Sequence, residues 1–204
     1  MSEPLRDGVM VSGTGTNLQA LIDQVHGHEA LLVGVAASAP SAPALERARS
    51  AGIATASFPR GDYADRAARD VALASWLGER EVKLVVLAGF MELLTPGFLS
   101  RFPGGVINVH PSLLPAFPGL HAIEQALEYG VKVFGVTVHF VDVGVDSGPV
   151  IMQRAVELPD AENPQQVLAA LRPLEHALLP EAVRLIARGA LAPDPENRRR
   201  VRIT

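Results

Sequence analysis

The chain has 204 residues, of which 48% are hydrophobic and 20% charged, with a formal net charge of −4 and no cysteine. At about 100–200 residues per domain, that length suits one domain able to bury its own core. The lack of cysteine excludes a disulfide framework, a thiolate metal site and a cysteine nucleophile, and the acidic balance argues against broad nucleic-acid binding.

Residues 8–12 predict a short buried strand, followed by a glycine turn at 13–15 and a helix over 17–25. Residues 31–38, rich in Leu, Val and Ala, predict a second strand. A helix over 42–51 follows, ended by Gly52. Residues 53–58 form a weaker strand. A long helix covers 63–80, with Val71, Ala74 and Leu77 among its apolar positions. Residues 83–88 are almost continuously apolar and predict a fourth strand. Thr95 caps a short helix to about Arg101, with Pro96 in its first turn. A fifth strand covers 106–110. Apolar strands separated by helical stretches imply a parallel sheet covered on both faces.

The pattern then changes. A helix opens at His121 after a proline-rich loop. Residues 131–141 and 149–158 are β-rich and close enough to pair antiparallel. A last helix covers 164–188, open to disturbance at Pro173 and Pro180. The expected fold class is α/β, a doubly wound and mostly parallel sheet with an antiparallel strand pair near the C-terminal end. Residues 1–204 read as a single domain, with 191–204 a flexible tail. Arg198, Arg199, Arg200 and Arg202 read there as a solvated tail or a phosphate-binding arm. The longest nearly uncharged apolar stretch, 30–39, is half the ~20 residues that a membrane span needs. Glu3, Arg6 and Asp7 precede any apolar run, which is unlike a signal peptide. A cytoplasmic protein with no membrane partner is expected.

Three segments carry candidate chemistry. In Ser12-Gly-Thr-Gly-Thr-Asn17, Gly13 and Gly15 allow a left-handed backbone and close approach of a ligand. Thr16 and Asn17 can cap the helix that follows, and its free N–H groups suit an anion. The loop reads equally as a plain turn. It is neither a dinucleotide fingerprint, since Leu18 replaces the third glycine, nor a P-loop, since no lysine follows. In Asn108-Val-His110, alternation puts an amide and an imidazole on one face at the carboxyl end of a strand. Such a pair suits a reaction that passes through an oxyanion and moves a proton. A structural histidine is the competing reading. The loop Asp142-Val-Gly-Val-Asp146-Ser-Gly148 holds two carboxylates, and either could orient His110; it reads also as an Asp/Gly turn. His139 lines a pocket or is a satisfied strand residue, and His121 caps or sits on the surface.

Together these segments resemble glycinamide ribonucleotide formyltransferase, the folate-dependent family of purine synthesis. The resemblance spans nearly the whole chain. It includes Ser-Gly-x-Gly-Thr-Asn-Leu-Gln-Ala at 12–20, Val-Val-Leu-Ala-Gly-Phe-Met at 85–91 and Asn-x-His-Pro-Ser-Leu-Leu-Pro at 108–115. It continues with Phe-Pro-Gly-Leu-His at 117–121, Val-His-Phe-Val at 138–141, Asp-x-Gly-Pro-Val-Ile at 146–151 and Glu-His-Ala at 175–177. The resemblance implies transfer of a formyl group from 10-formyltetrahydrofolate to the amine of glycinamide ribonucleotide, with no metal. It maps the catalytic triad to Asn108, His110 and Asp146. It maps the ribonucleotide to Gly15, Thr16, Asn17, Arg172 and Glu175. The folate maps to Arg66, to Phe90, Met91, Glu92, Leu93 and Leu94, to Asn108, and to Val141, Asp142 and Asp146. Partners are these small molecules, in a monomer or homodimer. Two departures stand out. Glu92 occupies a position that is Arg in relatives, and Pro173 lies inside the helix that carries Arg172.

Four other readings are weighed against it. Methionyl-tRNA formyltransferase has the Asn-x-His-Pro run and a further C-terminal tRNA domain. Formyltetrahydrofolate deformylase shares the triad and carries an extra N-terminal domain. A nucleotide-binding module would explain the glycine loop but leave Asn108, His110 and Asp146 without a purpose. A nicotinamide oxidoreductase is disfavoured by the missing glycine and by Ser38-Ala-Pro-Ser41, which has no acid after the second strand.

Overall fold

The computed structural model describes residues 3–197 and 199–204, so Arg198 of the arginine cluster lies outside the described residues. The chain divides into two compact units, Met1–Asn108 and Val109–Thr204.

In the first unit the strands are β1 (Leu5–Val11), β2 (Ala30–Ala37), β3 (Thr55–Ser57), β4 (Leu84–Leu87) and β5 (Val106–His110), whose last two residues begin the second unit. They are parallel neighbours in the order β3-β2-β1-β4-β5. Val9, Met10 and Val11 of β1 and Val85 and Val86 of β4 have no exposed surface. Burial on both faces is why these central strands show continuous apolar runs rather than alternation. The edge strand β3 is three residues long and half-buried.

The helices of this unit are α1 (Thr16–Gln24), α2 (Ala44–Ser50), α3 (Arg66–Gly78) and α4 (Pro96–Leu99). The helix expected over 63–80 is shorter. A 3-10 turn occupies Arg60–Asp62, and the Asp65 carboxylate caps α3 by accepting from Ala68 N. Leu73 and Leu77, four residues apart, form its buried stripe, and Arg69 continues that stripe one turn earlier. Val71, expected among the apolar positions, turns outward at 63% exposure. Thr95 caps α4 through a bond from Phe98 N, with Pro96 at the first helical position, as expected.

The second unit holds α5 (Ala122–Tyr129), β6 (Val133–Phe140), β7 (Val150–Glu157), α6 (Pro164–Ala187), β8 (Leu191–Pro193) and β9 (Val201–Ile203). β6 and β7 pair antiparallel, with a register shift between Val138 and His139. α6 runs without interruption through Pro173 and Pro180. Residues 191–204, expected as a flexible tail, instead carry the β8–β9 hairpin. Its closure is a buried carboxylate: Asp194 accepts from Arg202 Nε at 3.0 Å and lies 3.9 Å from Arg200. Two of the tail arginines therefore serve this hairpin.

Among the described residues, no helix is long and apolar enough to cross a membrane.

Candidate active site

The glycine loop follows β1 at the carboxyl edge of the parallel strands, where open α/β sheets bind ligands. Gly15 is the N-cap of α1 at φ 73°, ψ 33°. A Cβ there would lie 2.6 Å from Ala44 Cβ, so both backbone and space demand glycine. Gly13 has neither a positive φ nor a neighbour within 4 Å of a Cβ position. The N-cap position falls on Gly15 rather than on Thr16 or Asn17, so the cap itself carries no side-chain bond. The N–H groups at the start of a helix are the kind of site that favours an anion. Asn17 is buried and Thr16 half-buried beside them. Helix α2 braces the loop: Arg47 Nε donates to Thr14 O at 2.8 Å, and Ala44 N donates to Gly13 O.

The segment after β4 lies beside this loop. Ser12 N donates to Gly89 O, and Ser12 Oγ accepts from Met91 N at 3.1 Å. Phe90, Glu92 and Leu94 are half-buried, whereas Met91 and Leu93 are exposed. Glu92 neither faces freely into solvent nor stands as an unpaired anion. It forms an ion pair with Arg69, a side chain with 1% exposure. Arg66, the arginine expected to serve the folate, is the exposed first residue of α3. Arg69 was not expected at any site. The signal was present in its spacing: a cation four residues before Leu73 and eight before Leu77 falls on the buried stripe and needs a partner.

The second unit holds the titratable cluster. His110 ends β5 with its ring buried. Its Nε2 is 2.9 Å from Phe117 O, and its Nδ1 is 3.3 Å from Asp146 Oδ2. Each ring nitrogen faces an oxygen acceptor, a pattern that the doubly protonated ring satisfies at both ends. Asp146 Oδ2 also accepts from Gly119 N at 2.7 Å, and Oδ1 lies 3.5 Å from His139 Nε2. Burial opposes ionisation of Asp146. The hydrogen bonds from His139 and Gly119 and the charges of His110 and His139 outweigh it, holding the carboxyl below its ordinary range.

Of the two loop carboxylates, Asp146 is thus the one at His110. Asp142 shapes the loop, accepting from Gly144 N and Ser147 Oγ. Gly148 lets the chain cross β6, since a Cβ there would meet Phe140 O at 1.9 Å. His139 is the residue whose role sequence left open. Alternation put it on the Thr137 face of β6. That face meets the proline loop, where Thr137 Oγ1 donates to Ser112 O and accepts from Leu114 N. His121 is an exposed N-cap residue of α5 and belongs to the surface.

Asn108 is half-buried two residues before His110 and shares its face of β5 by alternation. On α6, Glu175 is buried and Arg172 exposed. Pro173 leaves the helical path of both intact. Among the described residues, no group of three or more His, Asp or Glu is arranged to hold a metal ion.

The model of the formyl transferase family matches residues 6–183. The trifunctional purine biosynthetic protein adenosine-3 of Drosophila melanogaster is 40% identical over 94% of this chain, which spans only 14% of that much longer protein. The phosphoribosylglycinamide formyltransferase of Mycobacterium tuberculosis is 41% identical over 91% of this chain and 86% of its own length. The crystal structure of glycinamide ribonucleotide transformylase 1 from Symbiobacterium toebii superposes with a TM-score of 0.95 at 44% identity, covering 100% of this chain and 95% of that one. The shared architecture is a Rossmann-like, mostly parallel sheet with an antiparallel pair towards the C-terminus. With the family model over residues 6–183 and relatives of about 40% identity matched over most of their own length, the chain belongs to the formyl transferase family, among its phosphoribosylglycinamide formyltransferases.

Proposed function

We propose that this chain transfers the formyl group of 10-formyltetrahydrofolate to the amine of glycinamide ribonucleotide, a step of purine synthesis. The observation that carries the reading is the pairing of buried His110, at the end of β5 and two residues after Asn108, with the loop carboxylate of Asp146. It supplies donors and a proton relay for an acyl transfer.

The neutral amine attacks the formyl carbon, and a tetrahedral oxyanion forms. The Asn108 amide donates to that oxygen. His110 adds a charge-assisted donor once its Nε2–H is shared with, or exchanged from, Phe117 O. One such donor is worth about 3 kcal/mol in the barrier. Asp146 orients the imidazolium and helps pass the ammonium proton towards the leaving folate nitrogen, so that this nitrogen departs as a neutral amine. The ribonucleotide phosphate rests on the N–H groups of Gly15, Thr16 and Asn17, with Arg172 and Glu175 of α6 on the substrate side. Phe90, Met91, Glu92, Leu93 and Leu94 border the folate, with Arg66, Val141 and Asp142 also on the cofactor side.

The test is release of tetrahydrofolate from 10-formyltetrahydrofolate with and without glycinamide ribonucleotide. Release that requires the ribonucleotide is expected. Release without any amine acceptor would identify a deformylase instead, and no release in either case would overturn the assignment.

A further inference from the structure

We infer that Arg69 is a positioning residue for formyl folate: it staples the segment after β4 to the first turns of α3 and cancels the charge of Glu92. This rests on the folate assignment of residues 90–94 made above.

Three attachments converge on adjacent residues of α3. The Arg69 guanidinium pairs with Glu92 and lies over the Phe90 ring, 5.8 Å from its centroid. The same guanidinium donates to Asp70 Oδ1 at 3.0 Å. The other oxygen of Asp70 accepts from Thr95 N at 2.7 Å. Residues 90, 92 and 95 are thereby held by one buried Arg–Asp unit with 1% exposure at each side chain.

The segment between these anchors has no helix or strand of its own. Its geometry is set by these anchors together with the bond from Met91 N to Ser12 Oγ. Phe90 and Glu92 turn to Arg69, and this leaves Met91 and Leu93 facing outward at 65% and 55% exposure. Two exposed apolar side chains on a pinned segment suit a flat heteroaromatic ligand. A loose anionic side chain between them would not. The ion pair converts Glu92 from a repulsive charge towards an anionic ligand into part of the scaffold. The two acids about one guanidinium also hold Arg69 firmly protonated, despite the opposing effect of burial.

The test compares wild type with Glu92→Ala, Arg69→Met and Arg69→Lys. In Glu92→Ala, the KM for 10-formyltetrahydrofolate should rise roughly five- to tenfold, with kcat and the KM for the ribonucleotide within about twofold of wild type. Arg69→Met should show a larger rise and Arg69→Lys a smaller one. Amide exchange at 91–95 should accelerate in Glu92→Ala without any ligand present. Glu92→Ala keeps the Arg69–Asp70 pair, so it stays informative if Arg69→Met fails to fold.

An unchanged folate KM overturns the inference, as does an equal rise of both KM values together with a lower melting temperature. If wild type forms no tetrahydrofolate with the ribonucleotide present, the assigned reaction fails separately. Calorimetry with tetrahydrofolate then decides: tighter binding by wild type than by Glu92→Ala supports the staple, and equal or absent binding overturns it.

Discussion

Asp146 reaches His110 from a left-handed backbone: φ is 47° at the aspartate, and its Oδ2 lies 3.3 Å from the imidazole Nδ1. A non-glycine residue in that region costs about 1–2 kcal/mol. Aspartate and asparagine tolerate it better than most residues because their short side chains bond locally, and here Oδ2 also takes the Gly119 N–H. Asp146→Asn keeps shape and backbone preference and removes the charge. It should lower kcat by roughly 10²–10⁴ while the protein stays folded at the assay temperature. A kcat within threefold would remove Asp146 from the relay.

The same carboxylate links stability to acid. Its folded pKa lies below the ordinary value because His139, Gly119 N and His110 favour the anion more than burial disfavours it. A depressed carboxyl pKa contributes stability that is fully present above the unfolded value, about 3.9. That contribution is lost as pH falls through the lower folded value. The stability gap between wild type and Asp146→Asn, measured by urea unfolding, should therefore be constant near pH 6 and shrink below about pH 4. A gap that persists unchanged to pH 2.5 would contradict the linkage.

His139 is placed to act through Asp146, since its Nε2 lies 3.5 Å from Oδ1 and its Nδ1 donates to Phe140 O at 2.8 Å. His139→Gln retains a donor and should cost less activity than His110→Ala, on the order of tenfold against about 10²–10⁴. The acid limb of the kcat profile should move to higher pH as Asp146 loses one of the partners that favour its anion. An unmoved limb with a large loss of kcat would point to direct contact with substrate.

Much of this was legible before any coordinates. The apolar runs of β1 and β4 and the Thr95–Pro96 start of α4 are local signals, and each element formed close to where its pattern lay. Asn108 and His110 were readable as a pair because alternation is a local rule. What was hidden depends on distant partners. No periodicity links Arg69 to Glu92, 23 residues away, and only the family resemblance singled out Asp146 over Asp142. The hairpin at β8 and β9 was missed for the same reason. Its arginine-rich sequence reads as solvated until Asp194 is seen to be buried beneath it. The cap of α1 was misread because Gly15 supplies by backbone shape what Thr16 and Asn17 could have supplied by side chain.

The glycine loop gives a sharper test than the triad. At φ 73° and with Ala44 Cβ 2.6 Å from any added methyl, Gly15→Ala must shift either the loop or α2. Stability should fall by about 1–3 kcal/mol from backbone strain and overpacking. The KM for the ribonucleotide should rise well above that for 10-formyltetrahydrofolate. Gly13→Ala meets no neighbour within 4 Å and should leave stability unchanged. Equal effects of the two substitutions on ribonucleotide KM would remove the phosphate from Gly15.

Asp7 offers a route to a more stable protein. It lies in central strand β1 between Leu32 of β2 and Leu84 of β4, with no exposed surface. Neither carboxylate oxygen has a hydrogen-bond partner among the described residues. Burial alone pushes its pKa well above the ordinary value. The sign is opposite to that of Asp146. The folded state prefers the neutral acid, so the penalty is absent below the unfolded value of about 3.9 and grows as pH rises to the folded value. Asp7→Val restores a β-branched strand residue and removes the unpaired group. At pH 8 it should stabilise by about 1–3 kcal/mol, or roughly 2–4 °C of melting temperature per kcal/mol in a chain of this size. The gain should be smaller at pH 4 than at pH 8. Melting curves of the two proteins across that range decide the matter, and a gain independent of pH would mean that Asp7 is not the buried acid responsible.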